Sequence, residues 1–331
     1  MKVIRDTLKS NITYWFNIRW NRKYRPYLDR YEVLANPLWE HRKVEPREGY
    51  RMCSFHSHTD GRSLRDFAMI SAKNGFDLVF VMDHDSDGKF EGNLVRHYEF
   101  REGKGVYLAR GIECRCKDIK KKHFGPFRWA ERTKILFAMY DGEIKTKQPL
   151  VETVRKAKEQ GAIIISASTL HTGATAGISR RNIELLMSDE RTRLDGIETL
   201  DAGYGFVGKS INRHYWACAV AEYIADSYGI PVIWSPNDHT DAESGVVANF
   251  IKNSDLPCLD NPQVVLRNPY LLREQLRDVF ARRAIIPAGS LSPIFSFLRP
   301  ERLRIVALDT KESLGRKAEN VLDVVAGKNG K

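Results

Sequence analysis

Met52-Cys53-Ser54-Phe55-His56-Ser57-His58-Thr59-Asp60-Gly61 and, further on, Leu78-Val79-Phe80-Val81-Met82-Asp83-His84-Asp85 frame the stretch whose reading decides the fold. Two short apolar runs each end in histidine and carboxylate. Between them Leu64, Phe67, Ala68, Ile70 and Ser71 recur at helical spacing, and Asn74-Gly75 closes the run. Strand, helix and strand in that order predict a parallel βαβ unit. Both polar clusters then fall at the carboxyl ends of neighbouring strands, where chemistry collects in parallel α/β folds. Side chains alternate along a strand, so His56 and His58 point the same way. Two imidazoles on one face can share a metal ion. A lone His-x-His is more often two surface histidines; the second histidine-bearing strand end, at βαβ distance, turns the reading toward a metal. Neutral imidazole suits zinc and iron, and carboxylates suit manganese and magnesium too.

Working outward, strands and helices continue to alternate. Glu91 to Arg101 reads as a short helix and Val106 to Glu113 as a strand. Ile135 to Met139, Ala162 to Ser166, Gly196 to Leu200 and Val232 to Trp234 read as further strands. Helices are expected over Val151–Gln160, around Ile183, Leu186 and Met187, over Ile211–Tyr228 and over Pro269–Arg283. The expected fold is α/β, with residues 49–286 as one barrel-like unit. Residues 1–48 are an aromatic and arginine-rich extension, with Tyr14, Trp15, Phe16, Arg19, Trp20 and Arg22 among them. It could pack on the barrel, stack on bases or lie on an acidic membrane surface. Residues 287–331 form a C-terminal extension expected to pack on the barrel, broken by Pro287, Pro293 and Pro300.

The 331 residues carry 53 Lys and Arg against 42 Asp and Glu, a formal charge of +11. This favours an anionic partner: a phosphorylated substrate, nucleic acid or an acidic surface. No run approaches the roughly 20 apolar residues of a membrane span. The first residues lack a signal peptide's apolar core. The five cysteines form no zinc motif, so reduced thiols and a cytoplasmic location are expected. Residues 115–132 are a basic excursion, with Lys120, Lys121 and Lys122, leaving the end of a strand where it could reach over a site.

The histidine motifs form an ordered set. His56-Ser57-His58-Thr59 followed by Met82-Asp83-His84-Asp85 resembles the first two motifs of the PHP family, named for polymerase and histidinol phosphatase. Gly111-Ile112-Glu113 is similar to the family's Gly-Ile-Glu, Leu170-His171-Thr172 to its Ala-His-Pro, and Ser235-Pro236-Asn237-Asp238-His239 to its terminal Ser-Asp-x-His. The resemblance spans residues 50–285, and the ordered set is more specific than any one motif. It implies a distorted (β/α)7 TIM-like barrel, two or three divalent ions (zinc, manganese or iron), and hydrolysis of phosphoesters by metal-activated water. It implies His56, His58, His84, Glu113, His171, Asp238 and His239 as metal ligands. Asp83 and Asp85, flanking His84, would orient an imidazole, take part in catalysis or cap a loop.

Three departures stand out. Asp60 comes only two residues after His58, earlier than the family's acidic residue or histidine. Lys134 holds the place of a histidine that opens the strand after Glu113, with His123 as a substitute ligand and Lys134 as a contact for substrate phosphate. Asn237, an uncharged and weaker ligand, takes the strict position of the family's aspartate, with Asp238 beside it. These departures motivate a second expectation, a PHP-like binding or regulatory module without turnover. A third comes from Gly203-Tyr204-Gly205-Phe206-Val207-Gly208-Lys209-Ser210, which fits the phosphate-binding loop of nucleotide hydrolases. Glu198 in the preceding strand argues against it, since a charge is awkward in a buried parallel strand. In a barrel the same loop would leave Lys209 free to touch a substrate phosphate.

Overall fold

The computed structural model describes residues 22–27, 43–85, 88–100, 103–117, 122–124, 127–129, 132–170, 177–201, 211–237 and 244–289. The opening unit is as expected: β1 (Tyr50–Ser57), α1 (Leu64–Lys73) and β2 (Leu78–Val81), with β1 and β2 parallel. Ser63 caps α1 by accepting from the Asp66 backbone N–H at 3.1 Å, and its hydroxyl donates to the Asp66 carboxylate at 2.6 Å. Leu64, Phe67 and Ala68 bury one face of the helix against Val79, Val81 and Leu108. Gly75, at φ +86°, then reverses the chain; a side chain there would meet Pro46.

The remaining elements are β3 (Val95–Glu99), β4 (Gly105–Lys117), β5 (Lys122–Phe124), β6 (Phe127–Trp129), β7 (Arg132–Ala138), α2 (Leu150–Glu159), β8 (Ile163–Ser166), α3 (Arg180–Met187), β9 (Gly196–Asp201), α4 (Ile211–Tyr228), β10 (Val232–Ser235), β11 (Val247–Lys252), α5 (Pro262–Arg267), α6 (Pro269–Ala281) and β12 (Ile286–Gly289). The main sheet runs β10-β9-β8-β7-β4-β2-β1-β11-β12, with β3 paired to β4, and curls into a nearly closed nine-strand barrel shape. Phe55 stacks on Phe80 at 5.1 Å inside it and meets Phe280 of α6 edge-on at 5.4 Å. Leu136, Ile163, Ile165, Ile233 and Ile251 complete this layer, and Leu272 and Leu276 of α6 join it. On the other face of the sheet, Ile112, Cys114, Ile135 and Phe137 pack with residues of α2 and α4.

Strand and helix do not alternate strictly. β7 runs antiparallel to both β4 and β8, and β11 antiparallel to β1 and β12. A direct reversal from β4 into β7 needs no helical crossover, and the two strands pair from Gly111↔Ala138 to Lys117↔Arg132. The basic excursion thus begins as an extension of this pair and includes the small β5–β6 sheet. The helix expected over Glu91–Arg101 is instead β3. Glu91 and Gly92 both have positive φ (52° and 84°), which ends the 3-10 turn before them, and Val-Arg-His-Tyr-Glu suits a strand.

The aromatic extension is described at Arg22–Tyr27 and Lys43 onward. Tyr24 is buried edge-on against Tyr223 of α4 at 5.1 Å, and Tyr27 donates to Asp226 at 2.8 Å. That part packs on the barrel's outer helix. Residues 287–289, expected in the C-terminal extension, lie within β12 of the sheet, and the rest of that extension lies outside the described residues.

A side chain helps to close the sheet. Asn249 on β11 accepts from the Trp234 N–H of β10 at 3.1 Å and donates to its carbonyl at 2.6 Å, doing what a neighbouring strand's peptide would do. Asn249→Ala leaves both buried groups unanswered and should lower unfolding free energy by about 2–4 kcal/mol, read from urea unfolding. A loss under about 0.5 kcal/mol would show that the seam does not depend on it.

Candidate metal centre

The register between β1 and β2 shifts between Ser54 and Ser57. Such a bulge re-aims side chains. Phe55 enters the apolar layer, and His56, the next residue, reaches the carboxylates beyond it. His58 follows just after β1. On β4, Ile112 and Cys114 face the outer layer, so Glu113 between them faces inward. Gly111 has its own reason: a Cβ there would sit 3.0 Å from the Val81 carbonyl and against Met82, so only glycine lets β4 lie this close to β2.

His56 Nε2 and His58 Nε2 are 3.0 Å apart, and they lie 3.8 and 3.7 Å from Glu113 Oε2. All three side chains are buried. The centre of that triangle is about 2.1 Å from each atom, the bond length of zinc to imidazole nitrogen or carboxylate oxygen. The trio therefore fits a divalent ion both in donor chemistry and in spacing. His84 Nδ1 stands 2.5 Å from the same oxygen with its ring 41% exposed, stacked on His58 at 4.5 Å.

Glu198 of β9 is the residue that the sequence motifs missed. It is fully buried and accepts from His56 Nδ1 at 2.8 Å, from the Ser168 N–H and from the Ser235 hydroxyl. A carboxylate accepting at Nδ1 leaves the Nε2 lone pair of His56 for a metal, the arrangement that orients metal-binding histidines. Its sequence signal was the charge in Gly-Ile-Glu-Thr-Leu, already out of place in an apolar strand.

The electrostatics are those of a cation site. Burial pulls the His56 imidazole down, but the charge of Glu198, its hydrogen bond and the nearby Glu113 carboxylate raise the pKa to about 10. Burial pushes Glu113 up, but the Lys134 ammonium, followed by His84 and His56, holds it well below the usual carboxylate range.

The other expected residues are distributed as follows. Asp83 accepts from the Thr59 N–H at 2.7 Å and the Thr59 hydroxyl at 2.6 Å, pinning the turn after His58. Asp85 accepts from the Arg115 N–H at 3.1 Å and pairs with its guanidinium. Both brace loops beside the centre. Asp60 is exposed in that turn at φ +47°, 4.0 Å from Arg62. Lys134, expected at a substrate phosphate, is buried with Nζ 2.8 Å from Glu113 Oε1. His123 falls on β5 of the separate small sheet. Asn237 is buried just after β10 at φ +41°. His171, Lys209, Asp238 and His239 lie outside the described residues. Cys114 and Cys116, 3.9 Å apart, face the outer apolar layer rather than the trio.

No family model and no curated protein matches the chain. Among solved structures, PsfC from Pseudomonas syringae PB-5123 is similar at 10% identity and a TM-score of 0.45, over 81% of this chain and 99% of that one. Among the described residues, no helix is long and apolar enough to cross a membrane.

The raised His56 pKa makes a signed prediction for metal-free protein. The fold favours the imidazolium, so this contribution is whole below the ordinary value of 6.5 and is lost as pH rises through about 10. Melting temperature should fall across that window, and Glu198→Gln, which removes the largest favourable charge, should flatten the fall. The same variant should weaken metal binding about 10- to 100-fold. Identical slopes and affinities would remove Glu198 from the centre.

Proposed function

We propose that this chain is a metal-dependent phosphoesterase of PHP type. The observation that carries the reading is the buried His56–His58–Glu113 triangle with Glu198 behind it. The resemblance of the ordered motifs supports it, as does the basic charge of +11. A divalent ion held there would supply Lewis acidity toward a phosphoryl oxygen and lower the pKa of a water.

The protein's own groups do the rest. Glu198 keeps the His56 proton on Nδ1. Asp83 holds the His58–Thr59 turn through two hydrogen bonds, and Arg62 donates to the His58 carbonyl at 2.9 Å. His84 closes the donor set on the solvent side. Lys89, 3.3 Å from Asp83 with its side chain 37% exposed, puts a cation on the rim where an anionic ester would arrive. The apolar layer of Phe55 and Phe80 lies behind the centre. The resemblance adds His171, Asp238 and His239 as further ligands, and monoester and diester substrates are equally compatible with these groups.

A binding module that keeps the ion without turnover is the second reading. Lys134 on Glu113 favours it, because it takes one carboxylate oxygen away from metal chemistry.

A phosphate-release screen on metal-loaded protein tests the proposal. His58→Ala should lower bound metal and release together, by about 100-fold or more for release. Lys209→Ala should keep most of it, whereas loss of nucleotide turnover in that variant alone would favour the nucleotide-hydrolase reading. Metal retained with no release from any phosphoester would favour the binding module.

A further inference from the structure

We propose that Lys134 limits this centre to a single divalent ion. The inference rests on the metal reading above and concerns how many ions Glu113 can serve. Glu113 faces two ways. Its Oε2 lies among the three imidazoles, with His84 at 2.5 Å. Its Oε1 is 2.8 Å from the Lys134 ammonium. A carboxylate that bridges two ions gives one oxygen to each, and here the second oxygen already has a cation.

The position is built rather than incidental. β7 lies antiparallel against β4 with Glu113 opposite Leu136, so Lys134, two residues before Leu136, sits on the same face as Glu113. Lys134 is 7% exposed and Glu113 fully buried. An ion bonded to Oε1 at about 2.1 Å would stand no farther than about 4.9 Å from the ammonium, with little water to screen the repulsion.

Charge balance points the same way. The buried carboxylates at the centre, among the described residues, are Glu113 and Glu198. Glu198 is engaged by His56, Ser168 and Ser235. One dication together with the ammonium already offsets these two carboxylates, and would offset an Asp238 ligand as well. A second dication would add two further positive charges beside a lysine that cannot move to solvent without breaking a buried pair. Lys134 is therefore a fixed positive charge where a second ion would otherwise bind.

The test uses full-length protein, stripped with chelator, reloaded with manganese(II) and desalted. Metal is counted by mass spectrometry, and ion pairing is read by electron paramagnetic resonance. Wild type should hold manganese with the hyperfine pattern of an isolated ion. Lys134→Arg should do the same. Lys134→His, which replaces the charge with a neutral ligand, should take up an additional ion and show the spectrum of an exchange-coupled pair. Lys134→Gln, folded by circular dichroism, provides a second route to the same result by freeing Oε1. A coupled pair in wild type would overturn the inference while leaving the metal centre standing. Isolated ions alone in both Lys134→His and Lys134→Gln would also overturn it. No bound manganese in wild type would overturn the metal centre and this inference together.

Discussion

One buried hydrogen bond, from His56 Nδ1 to Glu198, ties the opening strand to a strand on the far side of the sheet order. A fully buried carboxylate is costly unless several donors meet it. Glu198, on β9, satisfies that condition only when β1, β10 and the turn after β8 stand at their observed separations, because its donors come from these three. The barrel shape and the imidazole orientation are thus one constraint. Glu113 makes the complementary demand from β4, since its acidity depends on Lys134 from β7. Both carboxylates converge on His56, and Glu113 reaches His58 as well.

The seam of the sheet follows a related rule. β10 is the last strand on its side, and an edge strand presents unpaired peptide groups. Asn249 answers them at Trp234 with a side-chain amide. The sheet can therefore curl toward closure without a regular ladder between β10 and β11, and the carboxyl ends of β1, β2 and β8 are brought round the same centre.

Local patterns carried most of the architecture. The βαβ unit from Met52 to Asp85 was legible because its apolar spacing switches from two to helical and back, with Ser63 and Asn74-Gly75 as punctuation. α4 and β9 also fall where periodicity puts them. The inward histidines and Glu113 were legible as motifs. The antiparallel sense of β7 was not, because a strand reads the same in either direction and only the missing helix before it carries the information. β3 reads as a helix along the chain because Leu94, Val95 and Tyr98 recur at helical spacing, and the positive φ at Glu91 has no glycine to announce it. Glu198 was visible only as a charge inside an apolar strand, and Lys134 only as a lysine in the place of a motif histidine. Their meaning depends on each other's neighbours across the barrel, which spacing along the chain does not encode.

The central claim is that two histidines and a carboxylate, held by Glu198 and Lys134, form one cation site inside the barrel. Anomalous diffraction from crystals grown with zinc or manganese tests it most directly. The account predicts a strong anomalous peak about 2.1 Å from His56 Nε2, His58 Nε2 and Glu113 Oε2, with Lys134 still on Glu113 Oε1. Peaks only elsewhere in the protein, with His56 still on Glu198 and nothing between the three atoms, would contradict it.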